Sequence, residues 1–209
     1  MKKIFFSSLL LTGMLLAQNA SALEPKPLPV PHTEGGKPLM EALKERKTVR
    51  SFSDKPIEAQ VLSDMLWAAF GINRPAEGKR TAPTALNKQN IEVYVLDSAA
   101  AWRYDAKANT LVPVVEKDLR SVMDSQPFAA KAPVTLLYVA GNDISSGMHA
   151  GSLYQNVGLF CASVGLNNVV RRMDKEKLTQ ALPLPEGTEV IVSQSVGYPV
   201  EEPAAPEKK

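Results

Sequence analysis

Apolar and polar positions change rhythm several times along this chain, and each change predicts an element. In "PLMEALKER", Leu39, Met40 and Leu43 share a helical face, so a short helix is expected, ending before the β-branched Thr48 and Val49. "DKPIEAQVLSDMLWAAFG" is the clearest helix. Ile57, Val61, Leu62, Met65, Leu66 and Phe70 recur at helical spacing, Pro56 suits a first turn, and Gly71 suits the stop. "IEVYVL", from Ile91 to Leu96, is a strand by its β-branched and aromatic content. "WRYDAKANTLVPVV" predicts a hairpin: Trp102 and Tyr104 on one arm, a turn from Asp105 to Asn109, and a return from Leu111 to Val115. Its Pro113 favours an edge position. "PVTLLYVAG", from Pro133 to Gly141, is a nearly unbroken apolar run and implies burial on both faces. Met148 to Val164 predicts a long central helix, whose small residues, Gly151 and Gly158 among them, permit another helix to approach. "NNVVRRM" reads as a short strand or turn, "DKEKLTQAL" as a helix and "EVIVSQSVGYP" as a final strand. No internal repeat is present, and strands and helices mix without a steady β-α-β rhythm. The fold class is α+β.

The ends of the chain read differently. "MKKIFFSSLLLTGMLLAQNASA", residues 1–22, has Lys2 and Lys3, an apolar run, and small residues at Ala20 and Ala22. That order predicts a secretory signal cleaved near Ala22, hence an exported, periplasmic or secreted protein. The alternative, a membrane anchor, meets an apolar run short for a span. "LEPKPLPVPHTEGGKP" predicts an extended proline-rich linker over 23–37, with order beginning near Pro38. Residues 38–200 then form one domain, and 201–209 an extended tail.

Charge and sulfur narrow the chemistry. The chain has 24 Lys and Arg against 22 Asp and Glu, and residues 1–22 hold two lysines and no acid. Without them the chain is formally neutral, which argues against a nucleic-acid surface or a general anionic-membrane surface. Cys161 is the only cysteine, so no intramolecular disulfide forms, and its apolar neighbours suggest a buried thiol. A nucleophilic pair of Cys161 with His149 stays open, although nothing flanking either residue supports it. The two histidines, His32 and His149, do not suffice for a His-rich zinc site, and His32 is expected in solvent.

Two stretches concentrate candidate chemistry. "ERKTVRSF" puts Arg46, Lys47 and Arg50 around Thr48. One reading is a solvated helix end, where cations meet the negative end of the helix dipole. The other is an anion clamp: in an extended chain residues 46, 48 and 50 share a side and can surround a phosphate. "RTAPTALNKQNIEVYVL" sends a polar loop, Pro83 to Asn90, directly into a buried strand. Its small residues suit a flat ligand, and turn chemistry explains it equally.

Together these pieces resemble the nitroreductase family of FMN-dependent oxidoreductases. Arg46, Lys47, Thr48, Arg50 and Phe52 match its R-[RH]-S-x-[RK]-x-[FY] motif, and Pro83, Thr84 and Ala85 match its P-S-[SA] loop before a strand. "HAGSLYQNVGLFCASVGLNNV" is similar to its central helix and "LPEGTEVIVSQSVGYP" to its last strand. "AWRYDAKANTLVPVVEKDLR" looks like the branch with thiazoline and oxazoline dehydrogenases. The resemblance spans Pro38 to Pro199. It implies a mainly antiparallel mixed sheet flanked by helices, and an intertwined homodimer with two FMN sites built by both chains. Arg46, Lys47, Thr48 and Arg50 would grip phosphate and ribityl oxygens, Arg50 also lying near the ring's N1 edge. Pro83, Thr84 and Ala85 would line the ring, with Asn87 near it from the partner chain. Val169, Val170 and Arg171 match a loop whose backbone amide faces N5, and Lys208 or Lys209 would complete the phosphate site. The resemblance further implies a small-molecule substrate, with NADH or NADPH a candidate donor that is scarce outside the cytoplasm. No acid or base is assigned, Tyr154 and Arg171 being candidates. Two departures stand out: Thr48 replaces serine, and Leu86 stands where the dehydrogenase branch often has glycine.

Overall fold

The computed structural model describes residues 23–201 apart from 124, 125 and 127. Its strands are β1 (Lys26–Pro27), β2 (Ile72–Arg74), β3 (Lys79–Arg80), β4 (Ile91–Leu96), β5 (Ala101–Asp105), β6 (Thr110–Val115), β7 (Val134–Gly141), β8 (Asn167–Arg171) and β9 (Thr188–Gly197). The helices are α1 (Leu39–Glu45), α2 (Ala59–Phe70), α3 (Phe128–Lys131), α4 (Ile144–Val164) and α5 (Lys175–Ala181). Seven strands form one sheet in the order β1-β6-β5-β4-β7-β9-β8, with every described pairing antiparallel. The fold is α+β, as the sequence predicts.

Alternation along the two central strands sets the layers. Val93, Val95, Leu136 and Tyr138 pack with Leu66 of α2 and Leu153 and Val157 of α4. The intervening Tyr94, Leu96, Leu137 and Val139 pack on the other face, with Leu178 of α5 and Val190 of β9. Burial on both faces explains why β7 is apolar except at Thr135, whose hydroxyl meets Ser195.

Helix α4 starts four residues before the expected Met148. Asp143 accepts the amides of Ser145 and Ser146 at 2.7 and 3.1 Å, which offsets the poor helix propensity of the Ser-Ser-Gly that follows. It ends at Gly165, whose φ of 77° is the left-handed stop. Helix α2 begins later than expected: Pro56 lies ahead of it, and Glu58 is its cap residue. At its end a Cβ on Gly71 would stand 2.4 Å from the Trp67 ring, so glycine is required.

The linker expectation for 23–37 is corrected. Lys26–Pro27 pair with β6, Leu28 is buried in the main core, and the following carbonyls are bound by side chains. Ser63 Oγ and Asn109 Nδ2 donate to the Pro29 carbonyl at 2.5 and 2.7 Å, and Gln60 donates to that of Val30. Proline lacks amides to pair, but its carbonyls remain acceptors, so a proline-rich strap still docks. His32 is exposed as expected, while its backbone and ring meet Asp64. The β2–β3 hairpin and the short α3 are elements that apolar periodicity does not signal. Among the described residues no helix is long and apolar enough to cross a membrane. Residues 1–22 lie outside those described.

Candidate functional site

Beyond α1 the cation-rich segment runs along the outer edge of β8. The Val49 amide donates to the Asn168 carbonyl at 3.0 Å, and Asn167 Nδ2 donates to the Ser51 carbonyl at 2.9 Å. Further on, the Ser53 amide donates to the Tyr198 carbonyl. Arg46 is half-buried, its aliphatic stem 3.8 Å from where a Gly158 Cβ would stand, while Lys47, Thr48 and Arg50 are exposed. Helices α1 and α2 both pack against α4, as its small residues predict, and at Gly158 the contact is the stem of Arg46 at the end of α1. Several cations elsewhere are paired: Lys37 with Glu45, Arg120 with Asp118 at 2.7 Å, and Lys175 with Glu189 at 3.1 Å. Among the described residues no carboxylate pairs with Arg46, Lys47 or Arg50. The segment holds its positive charge uncompensated. A cleft of about 400 Å³ opens beside it, between Lys47, Val49, Leu166 and Asn168.

The three residues expected near the ring turn different groups outward. Val169 is buried against Phe52 and Ala132. Arg171, only 6% exposed, points its Nε at Ser195 Oγ, 3.2 Å away, so its side chain belongs to the interior. Along an antiparallel strand the amide and carbonyl of one residue face the same side, and successive residues alternate. Since the Asn168 carbonyl faces outward to Val49, the Val170 amide and carbonyl face that same edge. Val170 is therefore the member of the three whose backbone is placed to meet a ligand there.

The Pro83–Asn87 loop lies elsewhere on the chain. Pro83, Ala85 and Asn87 are exposed and Thr84 is half-buried. The Ala85 amide donates to His149 Nε2 at 2.8 Å. His149 and Gly158 are nine residues apart on α4, about 13 Å along its axis. The loop is thus anchored about 13 Å along α4 from the seat of the Arg46 stem. The backbone here is left-handed at Leu86, Asn87 and Gln89, with φ of 53°, 54° and 48°. That geometry accounts for the glycine preference at position 86, and Leu86 adopts it with its side chain 92% exposed. Lys208 lies outside the described residues.

The Cys161–His149 pair does not form. Both sit on α4, twelve residues or about 18 Å apart, and burial pushes the Cys161 thiol well above its ordinary range. A larger cleft of about 850 Å³ adjoins Phe52, Ser53 and Arg120. Its guanidinium is already committed, to both Asp118 oxygens and to the Ala132 and Pro133 carbonyls. Sequence reasoning missed His149 as a partner of the loop. It also missed a buried relay in which Tyr138 donates to Gln194 Oε1 at 2.6 Å and Gln194 Nε2 donates to Asn168 Oδ1 at 3.0 Å. That relay fixes the strand against which the cation segment lies. Only its polar letters inside apolar strands signalled it.

Comparison with known proteins gives the same picture. The model of the nitroreductase family matches residues 43–198. A protein of Ralstonia eutropha JMP134 assigned to the nitroreductases is 35% identical, with a TM-score of 0.79 over 87% of this chain and 97% of its own. A relative in Methanocaldococcus jannaschii, also assigned there, is 25% identical over 63% of this chain and 76% of its own. Two more distant structures share the fold. One, a nitroreductase of Desulfovibrio desulfuricans solved in complex with FMN, is 16% identical with a TM-score of 0.58, over 84% of this chain and 94% of its own. The other is the microcin synthetase complex McbBCD of E. coli, 18% identical with a TM-score of 0.64, over 95% and 85%. The chain belongs to the nitroreductase family of oxidoreductases.

Proposed function

We propose that the protein is an FMN-dependent oxidoreductase, passing electrons between a donor and a small organic acceptor, and that it works as a homodimer. The observation that carries this reading is the uncompensated cation segment along the outer edge of β8. A phosphate dianion offers the charge it lacks, and two guanidinium groups, an ammonium and a hydroxyl offer the donors. The residues present fit the cofactor: Arg46, Lys47, Thr48 and Arg50 would hold phosphate and ribityl oxygens, and the Val170 backbone would meet the ring edge. Bound FMN would supply the two-electron redox chemistry that no side chain here provides. Arg50, exposed and unpaired, would favour a negatively charged reduced ring electrostatically.

The second half of the site comes from another copy. Within one chain the loop's anchor, His149, stands about 13 Å along α4 from the Arg46 seat at Gly158, and the loop that lines a ring is assigned to the partner copy. Helix α1 supports the assembly: Leu39 and Met40 are 63% and 75% exposed, Leu43 is exposed, and the one buried residue is Ala42. An uncovered apolar helix face favours a protein neighbour. Residues 1–22 are proposed to direct export, with cleavage near Ala22.

The test is a visible spectrum of freshly purified protein, then anaerobic titration with NADH and NADPH. A yellow protein bleached by either nucleotide is expected. Colourless protein that takes up no added FMN overturns the reading. Bleaching by an azoline peptide without nicotinamide assigns the flavin to the dehydrogenase direction. A bound flavin that nothing reduces marks a binding protein without turnover.

A further inference from the structure

We infer that His149 is a positioning residue: its imidazole, on α4, holds the Ala85 amide and so fixes the loop that lines the flavin of the partner copy. This rests on the reading above for what the loop lines, but not for the contact itself. His149 is 3% exposed, and its Nε2 accepts the Ala85 amide at 2.8 Å, which requires the ring proton to sit on Nδ1. Nδ1 is buried and has no hydrogen-bond partner among the described residues. A buried donor without an acceptor is destabilising, and an apolar side chain at 149 would remove that penalty. What the histidine contributes is made by its other nitrogen, the acceptor of the Ala85 amide.

The loop it holds needs holding. Three non-glycine residues in four adopt left-handed backbone, a conformation disfavoured for each of them. Internal bonds shape the turn: the Gln89 amide donates to Thr84 Oγ1 at 3.0 Å, and Gln89 Nε2 donates to Asn87 Oδ1 at 3.1 Å. Other bonds tie it to the neighbouring hairpin, where Arg80 Nε donates to Gln89 Oε1 at 2.7 Å and Gln89 Nε2 to the Gly78 carbonyl at 2.9 Å. The His149 bond is what ties the loop's ring-lining end to α4. Gly158 on the same helix seats the Arg46 stem. One rigid helix therefore sets the positions of both half-sites, the loop through His149 and the phosphate clamp through Gly158.

The test compares His149→Leu, His149→Gln and His149→Asn in the purified chain, using hydrogen–deuterium exchange of the cofactor-free protein over residues 82–90 and FMN titration by fluorescence quenching. Leucine removes the acceptor. Glutamine places Oε1 where Nε2 stands, and asparagine falls short of it. In the leucine and asparagine variants, loop exchange should rise and FMN affinity fall by about tenfold each, with glutamine near wild type. Leucine values within twofold of wild type overturn the inference, as does a folded glutamine variant that behaves like asparagine. Should leucine prevent folding, the glutamine–asparagine pair decides alone. Should the wild type bind no FMN, the proposed function falls while loop exchange still decides what His149 holds.

Discussion

Arg46 and Arg50 lie four residues apart, yet the fold treats them differently. Arg46 is half-buried with its stem on Gly158; Arg50 stands in solvent. Packing of the Arg46 stem pre-orders its guanidinium, so it should contribute more per hydrogen bond than its exposed neighbour. Replacing both, Arg46→Ala with Arg50→Ala, should weaken FMN binding by about 100-fold or more, because charge-assisted contacts are lost and not rearranged. Fluorescence titration measures that loss, and an unchanged far-ultraviolet circular dichroism spectrum would show the fold intact. Affinity within threefold of wild type would remove these residues from the phosphate site. The cation cluster was legible in the sequence because five consecutive letters contain it. The His149–Ala85 bond was not, because its partners are 64 residues apart and a lone histidine on a helix carries no spacing signal. Val170 was one of three candidates in the sequence, and singling it out needed the direction of one carbonyl.

Elements whose apolar rhythm matched their burial, such as β4, β7 and α2, could be read directly. Those fixed by polar contacts could not. The start of α4 depends on the Asp143 carboxylate, which hydrogen bonds from Ser145, foremost its hydroxyl, hold below the usual carboxylate range. A carboxyl lowered in the folded state stabilises above its unfolded value, near pH 4, and that contribution fades as pH falls through the folded value. Asp143→Ala should lower Tm by roughly 2–4 °C at neutral pH. Asp143→Asn should keep most of the cap and flatten the stability loss below pH 4, as calorimetry across pH would show. The strap at β1 was hidden for a related reason: prolines suppress periodicity, while Ser63, Asn109 and Gln60 supply the bonds from elsewhere. Leu28 makes that docking measurable. Leu28→Ala should cost about 2 kcal/mol and lower Tm by roughly 4–8 °C, whereas an undocked linker would leave Tm unchanged.

At the scale of the whole molecule, α4 carries at separate points the anchor of the loop and the seat of the Arg46 stem, which are the two halves of the proposed flavin site. If each site takes its cations from one chain and its loop from the other, two differently damaged chains can repair one another. Arg46→Ala with Arg50→Ala spoils the clamp and leaves the loop, while Ala85→Trp fills the ring-facing position of the loop and leaves the clamp. Ala85 is exposed in one chain, so the substitution buries no indole in the core of its own fold. Co-expressed in equal amounts, the two chains should pair at random, half of the dimers being mixed and each mixed dimer holding one intact site. Flavin should then return to about a quarter of all sites, against almost none in either homodimer. Affinity tags of two kinds, one on each chain, allow the mixed species to be purified and its flavin counted at one per dimer. Mixed dimers without flavin would place the loop and the cations of one chain in one site. A single extended flavin nucleotide would then have to span the roughly 13 Å along α4 between the His149 and Gly158 contacts of one chain, with the clamp at its phosphate end and the loop at its ring end.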